Sequence, residues 1–89
     1  MRSEEEAGAE HRVLLVDDDL EVLEMFGCVL GNEPYAVERV ASAEAALRVL
    51  DIHRVSVVVA DERMPGMLGT ELLERLQREH PETVRIMLT

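Results

Sequence analysis

The apolar run Val13-Leu14-Leu15-Val16, cut off by Asp17-Asp18-Asp19, constrains the fold of this chain more than any other feature. Four successive apolar residues offer no polar face to water. A strand built from them must be covered on both sides, as a central strand of a parallel sheet is. The pattern recurs twice: residues 55–60 are the most β-branched stretch and end on Asp61, and a further apolar strand over residues 84–89 ends on Thr89.

Between these runs the periodicity changes to that of a helix. Leu20, Leu23, Phe26 and Leu30, with Val22 and Val29, recur at helical spacing; Asp18 or Asp19 is placed to cap the start and Gly31-Asn32 to stop the helix. Residues 35–40 alternate only partly, as an edge strand does. Ser42 is placed as an N-cap with Glu44 in the first turn, and residues 43–50 predict a second helix that turns Ala46, Leu47 and Leu50 to a sheet. A loop with Met64-Pro65-Gly66 and Gly69 leads into a third helix over residues 70–80, with Leu72, Leu73 and Leu76 on one face and Pro81 closing it. Strand and helix thus alternate through four strands. Right-handed crossovers place them in one parallel sheet with helices on both faces, a doubly wound α/β fold whose ligands sit beyond the carboxyl ends of the strands. Asp17, Asp18, Asp19, Asp61 and Thr89 are expected on that rim.

Composition removes several classes of function. Eighty-nine residues make one domain and exclude a multidomain enzyme. Residues 1–11 carry four Glu against one Arg with no apolar period, so they are expected to be a solvated tail, with the folded domain spanning 12–89. The net charge of −10 and the scarcity of aromatic residues, only Phe26 and Tyr35, argue against direct nucleic-acid binding. No apolar run reaches the length of a membrane span and the single Cys28 cannot form an internal disulfide, so the expected location is the cytoplasm. All nine basic residues are Arg. Without Lys the chain has no amine for Schiff-base chemistry or for pairing with a phosphoryl group.

Several carboxylates converging on one rim repel one another, and a divalent cation relieves the conflict. Oxygen ligands without thiolate or imidazole favour a hard ion, and two or three carboxylates completed by water suit Mg²⁺ better than Ca²⁺, with Mn²⁺ able to substitute. The bland alternative is that the Asp run only caps the first helix. Three polar strand ends on one rim, Asp17-Asp18, Asp61 and Thr89, make that account need three coincidences.

LLVDDDLEVLE, VVVADERMPGMLGTELL and RIMLT together resemble the receiver domain of two-component response regulators over residues 12–89. The combination of an acidic pair after the first strand, D-x-x-M-P-G-M-x-G after the third and Thr after the fourth is specific, although each piece alone is weak. The resemblance implies a flavodoxin-like fold with strand order 2-1-3-4. It implies that Asp61 accepts a phosphoryl group from a sensor histidine kinase, that Asp17, Asp18, Asp61 and the backbone carbonyl of Arg63 hold Mg²⁺, and that Thr89 contacts the phosphoryl group.

Receivers also have a fifth strand, two further helices and a Lys at the end of that strand; none has a counterpart in these residues. The expectations are impaired phosphorylation, a fragment of a longer protein, or self-association through the exposed edge of the fourth strand. A receiver-like interaction module that works without phosphorylation is a second reading. A third, a haloacid-dehalogenase-like phosphatase using Asp17 and Asp19 as D-x-D, is weakened by Glu21 two residues on. A calcium loop starting at Asp17 fails because Val22 and Cys28 stand where Gly and Glu are needed.

Overall fold

The structure, a computed structural model, describes residues 11–30 and 35–88, with the side chains of Phe26, Val29, Leu30 and Tyr35 excepted. The acidic tail up to residue 10, the Gly31-Asn32 stop and Thr89 lie outside the described residues. The elements run β1 (His11–Val16), α1 (Leu20–Leu30), β2 (Tyr35–Val40), α2 (Ala43–Ile52), β3 (Val57–Asp61), α3 (Gly69–Glu79) and β4 (Val84–Leu88). All pairings are parallel and the sheet order is β2-β1-β3-β4.

Two periodicities divide the core. Leu14, Val16, Val58 and Ala60 project from β1 and β3 to one face, where Ala43, Ala46 and Leu50 of α2 and Leu72 and Leu76 of α3 meet them. Val13 and Leu15 project to the other face, against Leu23 of α1. The unbroken apolar run of β1 is therefore covered from both sides, as its composition requires. Ser42 caps α2, its Oγ accepting the Ala45 N–H at 3.1 Å.

Alpha1 covers only part of its face. His11, Val13, Ser56, Val57, Val59, Val84 and Ile86 line an open groove of about 480 Å³ on the β1-β3-β4 side. Val84 and Ile86 of β4, the outermost strand of the described sheet on that side, are correspondingly exposed.

Several local expectations are corrected. Strand β1 starts at His11, a residue expected in the tail; its Nδ1 lies 3.1 Å from Ser56 Oγ. Strand β3 starts at Val57 rather than residue 55. Val55 is buried just before the strand, and its carbonyl accepts the Thr83 hydroxyl at 2.8 Å instead of a ladder bond. On α1, Leu20, placed by its spacing on the apolar face, is 66% exposed; Met25 is 55% exposed and Cys28 is exposed as well. Among the described apolar side chains of α1, Leu23 is buried and Val22 half-buried.

These burials set the expected stability effects. Leu72→Ala, which empties a fully buried site between α3 and the sheet, should lower unfolding free energy in urea by about 2–5 kcal/mol. Leu20→Ala should change it by less than about 0.5 kcal/mol.

Candidate functional site

The parallel register brings the acids together. Val16 of β1 lies opposite Ala60 of β3, so the next residues, Asp17 just past β1 and Asp61 at the end of β3, stand side by side. Asp17, Asp18 and Asp61 each offer a carboxylate oxygen, and these oxygens lie within 4.8 Å of one another. With Asp19, Val22, Met25 and Leu88 they line one depression at the carboxyl end of the sheet. Leu88 pairs with Asp61 and stands immediately before Thr89. Arg63 is exposed in the loop after β3.

Backbone geometry orders the Asp run. The Asp17 N–H donates to the Val40 carbonyl of β2 at 3.1 Å, carrying the ladder one residue past β1. Asp17 Oδ1 accepts the Asp19 N–H at 2.9 Å, and Asp19 Oδ1 accepts the Glu21 N–H at 3.0 Å. Asp19 is thus the residue that caps α1, while Asp17 and Asp18 turn to Asp61.

Asp17 is the most enclosed of the cluster, 6% exposed. Burial pushes its carboxyl above the ordinary value, and the negative charges of Asp61, Asp18 and Asp19 push the same way, against the hydrogen bond from Asp19. Three converging carboxylates, with Asp17 pushed toward its protonated form, fit a hard divalent cation, whose charge would offset their repulsion.

A second carboxylate was not singled out by its sequence position. Leu68 occupies the N-cap of α3 and has no side chain that can accept a hydrogen bond. Glu62 substitutes: its Oε1 accepts both the N–H, at 2.7 Å, and the hydroxyl of Thr70, eight residues downstream. Its backbone carbonyl accepts the Gly69 N–H at 3.1 Å, and Glu71 accepts the Leu68 N–H at 3.0 Å. The donors from Thr70 hold the Glu62 carboxyl below its ordinary value. A local N-cap rule reads only position 68, so the sequence signal for this arrangement is confined to an acid and a Thr flanking the Gly-containing loop.

Comparison with known proteins agrees with this architecture. The profile of the response regulator receiver domain matches residues 13–89, and the chain belongs to that family. It is a receiver domain of two-component systems, with the flavodoxin-like sheet order. The transcriptional regulatory protein GlrR of Escherichia coli is 39% identical over 77 residues, covering 86% of this chain and 17% of the relative. The response regulator protein FleR of Pseudomonas aeruginosa is 40% identical over 81 residues, covering 88% of this chain and 16% of the relative. The chain therefore spans about a sixth of these relatives. A signal receiver domain of an HD domain-containing protein from Pseudomonas fluorescens superposes with TM-score 0.87 at 33% identity, covering 89% of this chain and 63% of that one. The response regulator TrrA of Thermotoga maritima, solved in complex with Mg²⁺ and beryllofluoride, superposes with TM-score 0.83 at 28% identity over 89% of this chain and 69% of that one.

Linkage fixes the sign of the pH response. Asp17 binds its proton more tightly in the folded chain, so its ionisation costs stability above the raised pKa, and the cost vanishes below its ordinary 3.8. Glu62 acts oppositely, its stabilisation being present above 4.5 and lost as pH falls through its lowered value. With divalent cations chelated, Asp17→Asn should therefore raise the thermal midpoint at pH 7, and the gain should disappear below about pH 3.5. Added Mg²⁺ should stabilise the unsubstituted chain and not this variant, reversing their order.

Proposed function

We propose that the chain accepts a phosphoryl group on Asp61 from a phosphohistidine of a sensor kinase. The observation that carries this reading is the convergence of Asp17, Asp18 and Asp61 at the end of β1 and β3. An Asp61 carboxylate oxygen attacks phosphorus, the phosphorus–nitrogen bond breaks, the imidazole nitrogen takes up a proton, and an acyl phosphate forms on Asp61.

Asp17, Asp18 and Asp61, with the Arg63 carbonyl, are the residues that would hold Mg²⁺, for which Mn²⁺ can substitute. When bound, the cation neutralises charge on the phosphoryl oxygens, where most of the catalysis of such a transfer lies. Asp17, enclosed and hydrogen-bonded to Asp19, fixes one ligand; Asp18, exposed, is free to reach the ion through water. Thr89, in this reading, donates its hydroxyl to a phosphoryl oxygen.

The Lys-free sequence favours a second reading beside the first. With no ammonium to meet the phosphoryl charge, these 89 residues alone are expected to accept phosphate poorly, and an interaction module that keeps the scaffold has the same acids at its rim. Regulation rather than turnover is the role in either case.

Beryllofluoride, a mimic of the phosphoryl group, separates the two readings. Binding that requires Mg²⁺ and is lost in Asp61→Asn, read by fluorine NMR, is the outcome expected of a phosphoacceptor. A folded chain that takes up Mg²⁺ yet never binds beryllofluoride would leave the interaction module.

A further inference from the structure

The geometry points to Glu62, Gly69 and Thr70 as a latch that positions Asp61, an inference that rests on the phosphoacceptor reading and extends it. Asp61 is the last residue of β3, and its strand pairing ends with Leu88. Past that point the sheet no longer fixes the backbone, and the next peptide is gripped by the start of α3 instead.

The grip has three parts. The Gly69 N–H reaches the Glu62 carbonyl, and the Thr70 N–H and hydroxyl both reach the Glu62 carboxylate. Gly69 itself lies so close to the phosphoacceptor that a Cβ there would stand 2.3 Å from the Asp61 carbonyl oxygen and 3.0 Å from the Glu62 Cα. No side chain fits at that distance, so α3 packs on the Asp61 peptide itself.

A residue capped from eight positions upstream ties the two ends of the loop together. Movement of the Glu62 peptide drags α3, and displacement of α3 moves the bond by which Asp61 is attached to the chain. Because Asp61 must meet the oxygens of Asp17 and Asp18, a small shift of its backbone spoils the geometry of any phosphoryl group held there. Glu62 and Thr70 are positioning residues in this scheme. They act through Asp61 and touch none of the reacting atoms.

Thr70 supplies the test, since it is exposed and its substitution does not open the core. Thr70→Val removes the hydroxyl while keeping the N–H; Thr70→Ser restores it. Two measurements are taken on the full chain and on both variants: the Kd of beryllofluoride in saturating Mg²⁺, and amide hydrogen exchange over residues 62–70 with divalent cations chelated. Thr70→Val is expected to weaken beryllofluoride roughly tenfold and to speed exchange across the loop, with Thr70→Ser returning both toward the unsubstituted values. Equal affinity in all three proteins, or a Ser variant no better than Val, overturns the latch while the phosphoacceptor reading stands. Absence of beryllofluoride binding in the unsubstituted chain removes that reading, and this inference with it.

Discussion

The register between β1 and β3 is the constraint on which the rest depends. Parallel pairing sets Val16 against Ala60, and the strands then release Asp17 and Asp61 at the same height on the same rim. A slip of one residue would turn Val58 and Ala60 to the face of α1 and carry Asp61 away from its partner. The register holds because both faces are committed: Leu14, Val16, Val58 and Ala60 are locked under α2 and α3, and Val13 and Leu15 under α1. Aliphatic packing thus enforces an electrostatically unfavourable meeting of carboxylates.

That meeting is opposed on one side and supported on the other. Asp17 resists ionisation because it is buried among negative neighbours, whereas Glu62, one residue beyond Asp61, is ionised readily because Thr70 donates to it. Two acids flanking one rim therefore differ in what surrounds them. The strained one belongs to the acidic cluster, and the satisfied one fastens the neighbouring helix.

Much of this was legible in the sequence because its causes are local. The bounds of β2 and α1, the Ser42 cap and the alternation that dictates a parallel sheet follow from residues within a few positions of one another. The convergence of Asp17, Asp18 and Asp61 was legible one step further, since parallel strands in a doubly wound sheet present their carboxyl ends on one side. What escaped depends on partners distant along the chain. The exposure of Leu20 reflects how the first turn of α1 sits on the sheet, which helical periodicity does not encode. Val55 reads as strand by composition, yet its carbonyl is taken by Thr83. The role of Glu62 required knowing that Leu68, an unsuitable cap, would stand where α3 begins.

Side chains alternate along a strand, so Val57, Val59 and Asp61 share a face, as do Val84, Ile86 and Leu88 of β4. The residues of the open groove and those of the acidic depression are therefore successive positions on one face of β3 and β4. Solvent with access to an open groove keeps the permittivity nearby high and weakens interactions between neighbouring charges. Hydrocarbon laid along those valines would displace that solvent and would deepen both the repulsion among the acids and their attraction for a cation.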